Sequence, residues 1–255
     1  DLLKRALKHS PIVGVFGQRQ VGKTTLISGI GANYRNLDKE SVRLELEEDP
    51  ALFIHRQKIP FAIDEAQLSP RLFPALKEHV RANHRQGQFI LSGSVRFTSR
   101  KAIRESLTGR ISVVEILPFT CSEAEGKPLP SLLAKLTRVK KQRDLESVFQ
   151  NTGPHSESTF KTLLVNGGLP GICFFRAPEV RADRWGTQLD TLLNRDLRLV
   201  HETTLPYQAL RDLLEHLANR QGEPFELNEA VKATQISAIT LKKILFAFEA
   251  LFLIR

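Results

Sequence analysis

Gly17, Gln18, Arg19, Gln20, Val21, Gly22, Lys23, Thr24 and Thr25 match the phosphate-loop pattern G-x-x-x-x-G-K-[ST] at every fixed position. The chemistry of such a run is the binding of a nucleotide. Its glycines let successive backbone N–H groups turn inward around phosphate oxygens, at a helix start that favours anions. Lys23 is the candidate to reach the β- and γ-phosphates, and the Thr24 hydroxyl the candidate to hold Mg²⁺. A second pair of candidates, Asp64 and Glu65, closes the run Ile-Pro-Phe-Ala-Ile. The first acid suits Mg²⁺, generally through water, and the second suits orienting and polarising an attacking water. Apolar runs that end in acids are common, so this pair is weak by itself. About 40 residues after a phosphate loop, with a strand and helices between, it becomes specific.

Both sets of residues need strands behind them. Residues 12–16 (Ile-Val-Gly-Val-Phe) are short, apolar and mostly β-branched, which predicts a buried strand, and 24–30 can begin a helix. An amphipathic helix is expected over 2–9. Residues 43–47 alternate and are read as a second strand near the sheet edge. Asp49-Pro50 then opens a helix over 51–57, with Asp49 as its cap. The strand ending at Asp64 is followed by a helix from Ser69-Pro70 to about 83, a fourth strand over 88–94 and a fifth over 111–117, closed by Pro118. The separate acid beside Asp64 and the strand that follows its helix predict an α/β, three-layer P-loop NTPase core. The expected parallel sheet has the order 5-1-4-3-2, with the fourth strand between the phosphate-loop strand and the acidic strand. The tip of that fourth strand faces a γ-phosphate, so Ser92 and Ser94 are candidates to sense it by hydrogen bonding; otherwise they cap a strand end.

The rest of the chain reads as helical. Loops are expected over 126–130 and 151–158. Between them a helix over 131–149 carries Arg138, Lys140, Lys141 and Arg143, a solvated face given the Asp144 and Glu146 that follow. Helices over 227–233 and 238–251, joined by a turn at 234–237 and followed by a strand beginning at 252–255, give the opening of a winged helix. The second of these helices is rich in Leu and Phe, with only Lys242 and Lys243 basic, which suits a structural or lid role better than groove reading. The expected organisation is an ATPase-type domain over 1–120, a helical lid or linker over 121–215, and a winged-helix segment over 216–255 that stops inside an element. The chain begins at Asp1 and has no Met, so a native start is not expected here.

Charge and cysteines narrow the function classes. Of the net +9, nearly all lies in 71–110, where nine Lys/Arg (Arg71, Lys77, Arg81, Arg85, Arg96, Arg100, Lys101, Arg104, Arg110) face only Glu78 and Glu105. Such a patch suits nucleic acid or an acidic partner, or is a solvated helix face. Cys121 and Cys173 sit outside any C-x-x-C pattern, which fits reduced thiols in a cytoplasmic protein. The seven histidines lack metal-ligand spacing, leaving Mg²⁺ carried in with a nucleotide as the expected metal. No membrane span and no signal peptide are expected.

With these motifs in place, the chain resembles a group of prokaryotic AAA-type ATPases related to the archaeal ATPases. The matching stretches are residues 17–26, Asn36-Leu37-Asp38, 61–67 (ending Asp-Glu-Ala-Gln), 90–94, Glu-Ser-Leu-Thr-Gly-Arg at 105–110, Asn-Gly-Gly-Leu-Pro-Gly at 166–171, and Arg195-Asp196. Members pair a P-loop domain with a helical region, a winged helix and a C-terminal domain; that last domain is not matched. The resemblance implies ATP as the nucleotide and Mg²⁺-dependent hydrolysis coupled to lid and winged-helix motion. It also implies that Arg110, ahead of the fifth strand, acts as an arginine finger completing a neighbour's site in a homo-oligomer. The alternative is an ATP-gated DNA-binding regulator in which occupancy is the signal. A small-molecule kinase fits less well, because kinases seldom need the paired acids and a winged helix. No Asn-Lys-x-Asp run for reading guanine is present.

Overall fold

The computed structural model describes residues 2–96, 107–127, 135–141, 144–146, 148 and 157–255. Two compact units emerge, residues 1–116 with 186–255 and residues 117–185. The first is built on strands β1 (Ile12–Phe16), β2 (Asn33–Asn36), β3 (Phe61–Asp64), β4 (Phe89–Gly93) and β5 (Ile111–Glu115). They form one parallel sheet in the order β2-β3-β4-β1-β5, the expected 5-1-4-3-2 order read from the other edge. The apolar runs are continuous because both faces are covered. Side chains alternate between two cores. Ile12, Phe16, Phe61, Ile63, Phe89 and Leu91 face α3 (Glu40–Glu48), α4 (Pro50–His55) and α5 (Leu72–Ala82). Val13, Val15, Ala62, Ile90 and Val114 face α1 (Leu2–His9) and α2 (Lys23–Ser28).

Phe89 shows how much one position carries. It is buried, lies edge-on to Phe61 with ring centroids 6.4 Å apart, and is 5.3 Å from the His79 ring. Phe89→Ala removes a ring from the centre of the sheet and leaves a cavity, an expected loss of about 3–5 kcal/mol, read from urea unfolding.

The parallel register brings the carboxyl ends of the strands to one edge: Ile12 pairs with Phe89 and Ile111, and Phe61 with Phe89. The loop after β1 and the acids after β3 therefore share that edge, where ligands bind in open α/β sheets.

One strand lies elsewhere than the periodicity predicts. Residues 43–47 belong to helix α3, and the edge strand is Asn33–Asn36. The alternation Arg-Leu-Glu-Leu-Glu mimics a strand, but the residues buried in α3 are Val42 and Leu46, at helical spacing. Glu and Leu are also strong helix formers. The true β2 is polar and half-exposed, so hydrophobic pattern cannot find it; its backbone pairs with β3 from Asn33 opposite Phe61 to Asn36 opposite Asp64. The cap at Asp49 forms as expected, its carboxylate accepting the Leu52 N–H at 2.9 Å.

In the unit 117–185, α6 (Cys121–Ala124) starts with a capping box between Thr120 and Glu123, and α7 (Glu157–Asn166) follows later. Gly168 lies against Phe119, whose N–H donates to the Gly168 carbonyl at 2.7 Å; a Cβ on Gly168 would stand 2.5 Å from the Phe119 oxygen. The single helix expected over 131–149 is interrupted. Thr137 and Arg138 form a turn, and residues 139–141 are not helical. Residues 144–146 are helical again, and the Asp144 carboxylate accepts the Lys141 N–H at 3.1 Å, which favours a fresh start over continuation. Arg143 of that basic run lies outside the described residues, as do most of the loops expected over 126–130 and 151–158.

The chain continues through α8 (Pro178–Thr191), a π-helical turn at Leu192–Asp196, α9 (Leu197–Val200), α10 (Tyr207–Asn219), α11 (Leu227–Thr234) and α12 (Ala238–Ala250). Leu193, Leu197, Leu210, Leu213, Leu241, Ile244 and Phe248 form a further core, which also takes in Val95 from the exit of β4. The next residue, Arg96, donates its N–H to the Ala250 carbonyl at 2.8 Å, lies 4.7 Å above the Phe252 ring, and pairs with Glu115 at 3.4 Å. No strand forms at 252–255. Helix α12 ends in a Schellman-type cap with Phe252 at φ 60° and the Leu253 N–H on the Phe248 carbonyl at 2.9 Å, which turns the chain back instead of extending it. No helix among the described residues is long and apolar enough to cross a membrane.

Candidate nucleotide site

The loop after β1 is shaped by close backbone approach. Ile116 donates its N–H to the Phe16 carbonyl at 2.7 Å, and its own carbonyl oxygen would stand 2.3 Å from a Cβ on Gly17. Gly22 has φ 95°, a conformation glycine adopts without steric cost. Lys23 then folds back over the loop. Its side chain is buried, and Nζ donates to the Gly17 and Gln18 carbonyls, each at 2.9 Å. Burial lowers its pKa from the ordinary value, with Glu65 and Asp64 opposing.

Asp64 gathers four donors. Thr24 Oγ1 and the Tyr34 hydroxyl reach Oδ2 at 2.7 and 2.8 Å, the Glu65 N–H reaches Oδ1 at 3.0 Å, and Ser92 Oγ also donates to Oδ1. Burial would raise its pKa, but the bonds from Ser92, Thr24 and Tyr34 outweigh it and hold the carboxyl below the usual range. The same contact and burial push the Tyr34 phenol well above its ordinary value.

Glu65 has φ 53°, left-handed backbone for a non-glycine residue, at the step from β3 into a 3₁₀ turn. Such strain clusters at functional sites. Its carboxylate accepts from Gln67 Nε2; burial raises its pKa, with Asp64 adding to the rise and Gln67 opposing it.

The structure thus brings together Lys23, Thr24, Asp64, Glu65 and Ser92. Thr25 is exposed on α2, and Ser94 is buried just past β4. Arg110 lies elsewhere. It precedes Ile111, which pairs with Ile12, so it sits at the amino edge of the sheet, opposite the loop, with its carbonyl accepting the Ile12 N–H at 3.2 Å. Its guanidinium donates to the Thr108 carbonyl at 3.3 Å. Among the described residues of the basic segment, Arg71 turns to Glu47 and Arg96 to Glu115, while Arg81 and Arg85 are exposed. Arg100, Lys101 and Arg104 lie outside the described residues, as does Glu105.

Several residues at the site carry no local signal. Tyr34 is hidden by the misplaced second strand; with β2 at Asn33–Asn36, its parallel pairing to β3 would have brought it beside the acids. Gln188 and Asp196 come from far along the chain. Gln188 Nε2 donates to the Arg19 carbonyl at 3.2 Å, Asp196 Oδ2 lies 3.6 Å from Arg19 Nη1, and Arg195 pairs with Asp38 at 3.1 Å. Arg195-Asp196 and Asp38 are motif residues, but only the fold gives them partners.

Residues 9–125 match the family described as AAA domain, and residues 157–255 match a domain of unknown function. The uncharacterized protein Rv2008c of Mycobacterium tuberculosis and the uncharacterized protein Mb2031c of Mycobacterium bovis are each 28% identical over 256 residues, covering 99% of this chain and 51% of their own length. The chain spans about half the length of these curated relatives. Among solved structures, the Walker-type ATPase PABY2304 of Pyrococcus abyssi has the same fold, with TM-score 0.53, 15% identity, and coverage of 98% of this chain and 87% of that one. The phosphate loop, the acids of the neighbouring strand and a sheet of this order all lie within the matched stretch, so residues 9–125 form an AAA-type P-loop domain.

Proposed function

We propose that the chain binds ATP together with Mg²⁺ at the 17–25 loop and hydrolyses it. The observation that carries this reading is the convergence at one sheet edge of Lys23, the Thr24–Asp64 contact at 2.7 Å, and Glu65 next in line. The donor set fits the metal: a hydroxyl and a carboxylate are hard oxygen ligands, and Mg²⁺ commonly takes one or two such groups plus phosphate oxygens. Thr24 and Asp64 would hold the ion, with Ser92 and Tyr34 fixing the orientation of the carboxylate. Bound Mg²⁺ would supply neutralisation of charge on the β- and γ-phosphates.

In this reading Lys23 exchanges its two loop carbonyls for phosphate oxygens, which are stronger, charge-assisted acceptors. Glu65 orients the water for in-line attack and takes its proton. The Ser92 hydroxyl is engaged by Asp64, so a direct sensing role suits Ser94 better. ATP as the nucleotide rests on the family, since the loop contacts phosphates and not the base. Because Arg110 is remote from the loop of its own subunit, it would act on a neighbour in a homo-oligomer, worth about 10³–10⁵ in rate if it does. Motion of the 121–215 and 216–255 regions is the proposed output. The insertion of Val95 into the core of the C-terminal helices, three residues beyond Ser92, supports a mechanical link for the second. The DNA-regulator alternative rests on the basic segment, of which Arg71 and Arg96 pair with carboxylates and Arg81 and Arg85 are exposed.

The test is phosphate release from ATP. Wild type in Mg²⁺ is expected to turn over steadily, and removal of the metal with EDTA, or Asp64→Asn, to slow it by about 100-fold or more. Equal rates with and without metal would overturn the assignment of Thr24 and Asp64.

A further inference from the structure

We infer that Asp196 is the resting counter-ion of Arg19, that nucleotide phosphate displaces it, and that residues 186–200 thereby register whether the loop is loaded. This rests on the ATP-binding reading above.

Asp196 is only 3% exposed, yet its Oδ2 has no hydrogen-bond donor among the described residues. Its link to the loop is the Arg19 guanidinium at 3.6 Å, beyond hydrogen-bonding distance. Buried carboxylates are normally hydrogen-bonded as well as paired, and Oδ2 of this one has only the long Arg19 contact among the described residues. Burial pushes its pKa up, with the charge and side-chain contact of Arg19 and the charge of Arg195 opposing. Arg19, in contrast, remains 30% exposed on the loop itself. A phosphate carrying more charge, and able to accept two guanidinium bonds at close range, is the stronger partner.

The backbone of Arg19 is treated differently from its side chain. Gln188, 1% exposed, donates to the Arg19 carbonyl, while its own Oε1 has no partner among the described residues. The loop main chain is therefore fastened to α8, leaving the guanidinium free to change partners. Asp196 closes a π-helical turn, Leu192–Asp196, in which Leu192 and Leu193 are buried. Such turns occur often at functional positions. Losing Arg19 would strand a buried carboxylate in this turn, and the turn must answer by moving or admitting water.

The experiment is an equilibrium titration with a fluorescent, non-hydrolysable ATP analogue and Mg²⁺. Asp196→Asn keeps the shape and removes the competing charge, so affinity is expected to rise about five- to tenfold. In an Arg19→Gln background the same change is expected to do nothing. Unchanged or weaker affinity in Asp196→Asn would overturn the proposal, even if its melting temperature shifts as for a purely structural residue. Should that variant not fold, hydrogen exchange on wild type decides. Amides of 192–200 are expected to exchange faster with the analogue bound, and no change there overturns the inference. A wild type that binds no analogue at all sinks the ATP-binding reading and this inference together. Binding without the Asp196 effect sinks this one alone.

Discussion

Glu65→Gln is expected to bind ATP as wild type does and to hydrolyse it about 10²–10⁴-fold more slowly. The substitution is nearly isosteric, and the amide oxygen can still accept from Gln67 Nε2, so the left-handed turn at φ 53° keeps its internal bond. What disappears is the proton acceptor. Asp64 cannot substitute for it, because both its oxygens already accept bonds from Thr24, Tyr34, Ser92 and the Glu65 amide. Single-turnover hydrolysis beside an equilibrium binding measurement separates the two steps. Hydrolysis at the wild-type rate would remove Glu65 from the mechanism. Intact binding with a rate loss of a few-fold would reduce it to an orienting group.

The elements nearest the chemistry were the most legible. A phosphate loop needs an apolar strand before it and a helix after it, and β1 and α2 formed there because Ile12–Phe16 is buried at every position. The acids of β3 and the small polar end of β4 announced themselves in the same way, and the order of the strands followed from the extra strand between them. Legibility failed where backbone pairing, not side-chain burial, decides. β2 is polar and held by its ladder to β3, while α3 imitates a strand over five residues. It failed again where contacts join distant segments. Nothing near residue 19 points to residue 196, and the basic count over 71–110 could not show that Arg71 and Arg96 turn toward carboxylates. The groups suited to titrate and bind are visible in the residue types and spacing; the fold determines which of them face one another.

Lys23→Met is expected to abolish measurable ATP binding, about 100-fold or more in affinity, with only a small change in the melting temperature of the nucleotide-free chain. The first half follows from losing the one ammonium that the loop folds inward. The second half is a balance of opposing terms. Burial lowers the pKa of Lys23, so holding its charge in the folded state is unfavourable relative to the unfolded chain, and an apolar side chain of similar length relieves that cost. Against this, the Gly17 and Gln18 carbonyls lose a donor. An orphaned buried carbonyl costs about 1–3 kcal/mol. Gln18 still accepts from the Val21 N–H at 3.3 Å, which leaves mainly the Gly17 oxygen unpaired. The two effects have opposite signs and offset one another. Thermal unfolding with and without Mg²⁺ and ATP checks both halves at once. Wild type at 100 times its dissociation constant should gain about 2.7 kcal/mol of stability, and Lys23→Met none. A variant that unfolds at much lower temperature without nucleotide would mean that the carbonyl bonds dominate, and that Lys23 builds the loop before it binds anything. A variant that still gains stability from ATP would remove Lys23 from the phosphate site.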